Sequence, residues 1–212
     1  MVVELIDQQV MAFTAIAAVL AITPGADTML VIKNSVGHGS RGGQATTLGV
    51  LSGTLFHALV SALGLSVVLA QSVSLFRLVQ TLGAAYLIWL GVQSLRSAHP
   101  HSGHGVVPLD RTLSQFFREG LVSNVLNPKV AIFYMAFLPQ FIDSGDPVLV
   151  KSILLATIHN ALSLFWLGGL SLAIGHGQGW IQRSQVQHWL TRISGIFLVG
   201  FGLRLALDSS SK

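Results

Sequence analysis

Long stretches without a charged residue constrain the fold of this chain more than any other feature. No charged side chain occurs between Arg41 and Arg77, and none occurs between Lys151 and Arg183. A helix needs about 20 predominantly apolar residues to cross the hydrocarbon core of a bilayer. Each stretch can therefore hold a complete membrane span, and we expect an integral membrane protein.

The composition agrees with this expectation. Only 9% of the residues are charged and the mean hydropathy is +0.67, whereas about a quarter of the residues of a soluble domain are charged. The net charge of +4 comes from positive residues scattered singly between apolar runs. This pattern is typical of loop charges that set the orientation of a protein in the membrane, rather than of a nucleic-acid-binding surface. The absence of cysteine excludes disulfides, thiolate metal sites and cysteine nucleophiles. Glu4 and Asp7 stand where a signal peptide carries Lys or Arg, so we expect no cleavable signal.

The pattern of apolar runs predicts an all-α, polytopic membrane protein of six transmembrane helices. The first run holds Asp27 as its one charge, and the fourth is interrupted by Asn127-Pro128-Lys129. The sixth is bounded by Arg192 and Arg204, whose long side chains can reach the interfaces. The predicted spans are residues 10–32, 46–70, 78–95, 116–142, 152–175 and 189–207.

Two halves of three spans each repeat one another. The interrupted spans one and four occupy corresponding places, "GTLFHAL" in span two aligns with "ATIHNAL" in span five, and "YLIWLGV" in span three aligns with "FLVGFGL" in span six. Three matches in the same order indicate duplication. An odd number of spans per repeat inverts the second half, a plan common among secondary transporters. We therefore predict a single domain over 1–212, with repeat one at 8–96, a cytoplasmic connector at 97–115 and repeat two at 116–208.

Each interrupting proline has a charged neighbour. Asp27 follows Pro24 by three residues, and Lys129 directly follows Pro128. A charge at the bilayer centre costs at least about 2.5–3.5 kcal/mol on insertion scales, so the two suggest a buried pair or a polar site near the midplane. Two alternatives stay open. The prolines could merely kink their helices, and Lys129 could lie near a membrane surface.

The distribution of Lys and Arg predicts the orientation. These residues are more numerous in the first, third and fifth predicted loops than in the termini and the other loops. The positive-inside rule then places the richer loops in the cytoplasm and both termini on the periplasmic side.

These motifs resemble the LysE/RhtB family of amino-acid exporters over nearly the whole chain. The likeness rests on Thr-Pro-Gly-Ala-Asp at residues 23–27, the glycine-rich first loop "GHGSRGGQATTLGVLSG" at 37–53, Gly-x-x-x-Asn-x-x-Asn-Pro-Lys at 120–129 and Pro-Gln-Phe at 139–141. Ala26 departs from the family, in which a second proline is frequent there, and should soften the first break. The resemblance implies proton-driven export of an amino acid such as homoserine, threonine, leucine or lysine across the bacterial inner membrane. It implies no cofactor beyond the proton as coupling ion.

A zwitterionic substrate needs one partner for its ammonium and another for its carboxylate. We hypothesise that Asp27 binds the ammonium or exchanges a proton, and that Lys129 or a half-helix N-terminus binds the carboxylate. Asn124 and Asn127 could hydrogen-bond the substrate or the broken backbone. The candidate substrate site comprises Asp27, Thr23, Pro24, Gly25, Asn124, Asn127, Pro128 and Lys129.

Two histidines lie well inside predicted spans, in matching parts of the two repeats. Because histidine titrates near physiological pH, His57 and His159 are candidates for proton coupling together with Asp27. The alternative for each is a neutral histidine that hydrogen-bonds neighbouring helices.

Several other features are expected to be structural. The connector histidines have a spacing that could bind zinc or nickel. They have no acidic or thiolate ligand close by in the sequence, so we expect a solvated connector that binds no metal. The "GHGSRGG" loop lacks the Gly-Lys-Ser/Thr ending of a phosphate loop, and its glycines favour a tight or mobile turn that gates one side. Small residues in the second span favour close helix packing. The residues concerned are His99, His101 and His104 in the connector, and Gly49, Gly53 and Gly64 in the span.

Two other classes compete with a transporter. His57, His159 and Asp27 could form the catalytic cluster of an intramembrane enzyme, although no known metal or nucleophile spacing supports one, and we predict no enzyme. A passive channel or a structural membrane subunit is the other alternative. The expected partners are a small amino acid and the lipid membrane but no nucleic acid, and a homodimer stays open.

Overall fold

The computed structural model describes residues 8–71, 111–143 and 145–175, with single positions between residues 81 and 96 and between 189 and 203. Every regular element in these ranges is helical. By length and composition, two of these helices can cross a membrane, and three can if a bent pair counts as one span. The all-α class is therefore confirmed for the described residues, and these include helices long and apolar enough to span a membrane. The third and sixth predicted spans and the connector histidines fall largely or wholly outside the described residues, so the count of six stays a prediction.

The first interrupted segment consists of α1, Gln8–Ile22, and the beginning of α2, Ala26–Gln71. The helix stops at residues 23–25, around Pro24, as predicted. A second break within α2 lies at His38 and Gly39, where Gly39 has φ 69°, a conformation that glycine adopts at little cost. The first span therefore continues to Gly37 rather than ending at residue 32.

The predicted glycine-rich loop at 37–53 is much shorter in the structure. It is reduced to the break at His38 and Gly39, and helix resumes at Ser40 and runs to Gln71. The prediction of a long first loop was wrong, because all but one of its glycines adopt helical conformations and let α2 pack closely against its neighbours.

The second interrupted segment begins with α3, Leu113–Val125, inside the predicted connector of 97–115. The side chain of Gln115 accepts a hydrogen bond of 2.9 Å from the backbone nitrogen of Thr112 and so fixes this helix start. After a break at residues 126–127, α4 spans Pro128–Ile132 and continues as a π-helical turn, Phe133–Phe137, and a 3₁₀ turn, Leu138–Phe141. The two parts are bent by 52°.

The last described helix is continuous and apolar. It consists of α5, Val148–Ser163, a π-helical turn, Leu164–Gly168, and α6, Gly169–Gly175. It ends at Gly175 as predicted and begins at Val148, slightly before the predicted residue 152.

The two interrupted segments run antiparallel to each other. Contacts between them join the start of one to the end of the other, and the residue numbers rise along the first as they fall along the second. The contacts run from Gln9–Asp143 through Phe13–Phe141 and Leu20–Lys129 to Asp27–Asn124 and Asn34–Glu119.

The part of α2 after Gly39 and the helix α5–α6 form a second antiparallel pair. Side-chain to main-chain hydrogen bonds connect them at three levels: Ser171 to the carbonyl of Ser40 at 3.1 Å, Gln44 to that of Gly168 at 2.8 Å, and Asn160 to that of Leu51 at 3.1 Å. Both pairs of corresponding segments therefore have opposite directions.

Glycines bring α2 and α3 into close contact. A Cβ atom on Gly49 would collide with the main chain of α3, and one on Gly120 would collide with the main chain of α2. Gly53 lies against the side chain of Asn124, which a Cβ would approach to 2.6 Å. The expected packing role thus fits Gly49 and Gly53. Gly64 has open space around its Cβ position in the described part of the chain.

Candidate functional site

The break at Pro24 leaves a backbone carbonyl without its helical partner. Proline has no N–H, so the carbonyl of Leu20, four residues earlier, loses the hydrogen bond that would continue α1. The ammonium of Lys129 donates to this oxygen at 3.3 Å and to the carbonyl oxygen of Thr23 at 3.1 Å. Lys129 therefore completes the C-terminus of α1 from the opposite segment.

The break at Pro128 has the same consequence for Asn124. Its carbonyl oxygen lies 3.0 Å from the Nε2 atom of His57 and accepts a further 3.0 Å bond from the backbone nitrogen of Asn127. A carbonyl oxygen can only accept, so the Nε2 atom of His57 must carry the hydrogen. Each proline break is thus completed by a side chain from the other half of the protein.

Three donors converge on the carboxylate of Asp27, which is buried at the first turn of α2. Ser123 donates to Oδ1 at 2.9 Å, while Asn124 and Asn127 each donate to Oδ2 at 2.9 Å. Hydrogen bonds to an ionised acceptor are roughly twice as strong as neutral ones. The positive end of the helix dipole at this position also favours a negative charge.

Asp27 and Lys129 share one site without forming a direct ion pair. No oxygen of the carboxylate lies within 4.0 Å of the Lys129 ammonium, since the ion pairs among the described residues do not include the two. Of the two arrangements expected from the sequence, the polar site is the one present. The ammonium of Lys129 is bound to α1 beside Gly25, and its depth relative to a membrane surface stays a prediction.

A cavity with about 40 Å³ of water-sized space lies between the two breaks. A water molecule needs about 10–15 Å³ of such space, so the cavity has room for a few waters. An amino acid would require it to widen. Its polar wall comes from both halves: Thr23, Asp27, Thr28 and Thr54 from the first, and Asn124, Asn127, Lys129, His159 and Ser163 from the second.

The structure brings most of the predicted site residues to this cavity. Thr23, Gly25, Asp27, Asn124, Asn127, Lys129 and His159 line it. Pro24, Pro128 and His57 are not among the lining residues; the two prolines create the breaks, and His57 bonds the backbone behind the wall.

A tyrosine that the sequence did not single out lies between the two buried histidines. The ring of Tyr134 stacks on His159 at 5.9 Å and on His57 at 6.4 Å between centroids, with interplanar angles of 18° in both cases. Its hydroxyl lies 2.9 Å from Nδ1 of His159, and Ser61 donates to its carbonyl at 2.6 Å. Tyr134 lies in the π-helical turn, a feature frequent at functional sites, but nothing in its apolar sequence context distinguishes it.

A network of polar side chains connects the two antiparallel segments at each of their ends. At one end Glu119 accepts from Arg111 at 2.7 Å, from Asn34 at 3.1 Å and from Lys33 at 3.5 Å.

At the other end, the fully buried Lys151 pairs with Asp146 at 2.6 Å and bonds Gln9 at 3.3 Å, and Gln9 donates to Asp143 at 2.8 Å. The cavity lies between the two networks along the segments.

Apolar helices that break around a cavity with charged residues in its wall are typical of membrane transport proteins. In such proteins the freed backbone at membrane depth is buried or lines a cavity. The chain matches the model of the LysE type translocator family over residues 18–209. It belongs to this family, as the resemblance of its motifs predicted. Membership of a translocator family also confirms that the chain is not an enzyme.

Similar proteins cover the chain almost completely. The uncharacterized membrane protein YrhP of Bacillus subtilis (strain 168) is 38% identical over 93% of this chain and 98% of its own length. A leucine efflux protein of Salmonella choleraesuis (strain SC-B67) is 30% identical over 90% and 91%. A homoserine/homoserine lactone efflux protein of Salmonella typhi is 27% identical over 92% and 94%. No solved structure matches the chain significantly.

Proposed function

We propose that this protein is a secondary active transporter that exports amino acids across the bacterial inner membrane, driven by the proton gradient. The observation that carries the proposal is the cavity between the two proline breaks, which offers one carboxylate and one ammonium at its wall. Relatives named for leucine and homoserine efflux support the same class of substrate.

The two charges suit the two ends of a zwitterion. Lys129 binds the substrate carboxylate, and Asp27 binds its ammonium or exchanges a proton with it. The N-terminus of α4 is a weaker candidate for the carboxylate, because the side chain of Asn127 already accepts from the backbone nitrogen of Lys129 at 3.0 Å. Asn124 and Asn127 orient Asp27 rather than reaching the substrate first.

Transport then proceeds by alternating access between two inverted three-helix repeats. The opposite directions of the two interrupted segments, and of α2 and α5–α6, support this arrangement. The cavity is too small for an amino acid and lies between the polar networks at the two ends of the segments, so we assign it to a state without room for the substrate. Rocking of one repeat against the other opens one network at a time and widens the cavity.

Proton coupling is assigned to Asp27 and His159, which both line the cavity. His57 has a different role in this proposal, because its Nε2 hydrogen is committed to the carbonyl of Asn124. A variant carrying His57→Gln keeps a donor for this carbonyl and should retain pH-dependent transport, whereas His159→Gln should lose the pH dependence.

The termini are proposed to lie on the periplasmic side, from the excess of positive residues in the odd-numbered loops. The network around Glu119 is then cytoplasmic, and the network around Lys151 is periplasmic.

An efflux screen in cells tests the proposal. Cells that express the protein are loaded with dipeptides, and the free amino acids that appear in the medium are measured with and without a protonophore. We expect faster, saturable efflux against a gradient for at least one amino acid, and loss of this excess with the protonophore or with Asp27→Asn. Efflux no faster than from cells without the protein would overturn the proposal, and flux that runs only downhill would indicate a channel.

A further inference from the structure

We infer that the site selects amino acids with neutral side chains and rejects lysine and arginine. The inference rests on the proposed function and deepens it. It depends on the number of carboxylates at the cavity. A substrate with a cationic side chain has two positive groups, and each needs a negatively charged partner.

Among the described residues, a single carboxylate lines the cavity. Asp27 is the acidic residue of the described cavity wall. The chain has eight Asp and Glu residues in all, and three others belong to the end networks: Glu119, Asp143 and Asp146. The remaining four lie outside every span predicted from the sequence: Glu4, Asp7, Asp110 and Asp208.

Two of the uncharged acceptors beside the cavity already bind a positive group. The carbonyl oxygens of Leu20 and Thr23, exposed by the proline break, accept from the Lys129 ammonium. With Asp27 bound to the α-ammonium and Lys129 bound to the carboxylate, a substrate side-chain ammonium would find no further carboxylate in the described cavity wall. A buried charge without a partner is strongly disfavoured, so lysine should be transported at least about 100-fold more slowly than a neutral amino acid, which corresponds to about 2.8 kcal/mol.

The rest of the wall suits an uncharged side chain. Leu20, Val50, Val130 and Leu167 line the cavity with apolar surface, and Thr54 adds a hydroxyl whose bond to its own helix is long, at 3.3 Å. An apolar wall with a few placed polar groups is typical of sites for small, largely apolar ligands. Aliphatic or short hydroxylated side chains fit it.

The test is a competition panel with the purified full-length protein in liposomes that contain leucine. External radiolabelled leucine is exchanged in the presence of unlabelled leucine, threonine, homoserine, lysine, arginine or glutamate. We expect neutral amino acids to compete and the charged ones to need at least about 100-fold higher concentration. Competition by lysine or arginine within tenfold of leucine would overturn the selectivity and leave amino-acid export standing. Exchange of no amino acid would overturn both.

A second carboxylate in the cavity wall should provide a partner for the side-chain ammonium of lysine. The variant Thr54→Asp places one in the wall, and Thr54→Asn is the uncharged control of the same shape. We expect lysine competition to increase at least tenfold in Thr54→Asp relative to Thr54→Asn. Equal, weak lysine competition in two variants that still exchange leucine would contradict the idea that a missing carboxylate causes the rejection.

Discussion

Replacement of Asp27 by Asn and by Ala should separate the structural role of this residue from its role in transport. In Asp27→Asn, the amide oxygen can take the place of Oδ2 and still accept hydrogen bonds from Asn124 and Asn127. The new NH₂ group takes the place of Oδ1 and can donate to the hydroxyl of Ser123. The hydrogen-bond network survives, and the negative charge is lost.

In Asp27→Ala the same donors lose their acceptor. The amides of Asn124 and Asn127 are both buried, with 1% and 7% of their surfaces exposed, so neither can turn to bulk water. An unsatisfied buried polar group costs about 1–3 kcal/mol, which gives roughly 2–6 kcal/mol for the two amides. Since 1 kcal/mol shifts Tm by about 2–4 °C in a chain of this size, Asp27→Ala should melt at least about 4 °C below Asp27→Asn.

The assay combines thermal unfolding in detergent with efflux from cells at matched protein levels. We expect Asp27→Asn to melt close to the wild type and both variants to lose gradient-driven efflux. Efflux by Asp27→Asn within about twofold of the wild type would refute the proposed role of the charge. Equal melting temperatures of the Asn and Ala variants would refute the hydrogen-bond network as the stabilising feature.

Three further predictions follow from other parts of the structure. His159→Gln should flatten the dependence of efflux on external pH, and an unchanged pH profile would contradict coupling through this residue. Gly49→Ala should destabilise the protein by about 1–3 kcal/mol through collision with α3. Gly64→Ala, around which the described part of the chain leaves open space, should melt at or above the wild-type temperature. Because the chain has no cysteine, a single introduced cysteine is the only site that a maleimide can label. A membrane-impermeant maleimide should label Gly145→Cys in intact spheroplasts but Val36→Cys only after permeabilisation. The reverse pattern would overturn the proposed orientation.

The sequence was sufficient to predict the breaks and the residues beside them. Pro24 and Pro128 remove backbone donors wherever they occur inside a helix, and a charge inside an apolar run is costly enough to indicate a site. Asp27, Asn124, Asn127 and Lys129 could therefore be assigned to one site before the fold was known, as the cavity wall bears out.

Long-range pairings could not be predicted in the same way. That Lys129 bonds the carbonyl of Leu20, and His57 that of Asn124, depends on how two distant segments cross. Tyr134 is equally inconspicuous in the sequence, since its ring contacts with His57 and His159 arise only when distant segments pack together.

The repeat alignment also did not predict which face of each helix lines the cavity. It pairs Thr54 with Thr157, but Thr54 lines the cavity and Thr157 is exposed. Short apolar matches can indicate that two spans correspond, while the rotation of each helix is decided by packing that the alignment does not contain.

The central claim is that the cavity between the two breaks carries an amino acid in exchange for protons, and reconstitution tests it most directly. Purified protein in liposomes with an acidic lumen and a more alkaline exterior should accumulate radiolabelled leucine inside, with simultaneous loss of luminal protons reported by a pH-sensitive dye. Addition of a protonophore should abolish the accumulation. Leucine that only equilibrates across the membrane, with no proton movement and no response to the protonophore, would contradict the account.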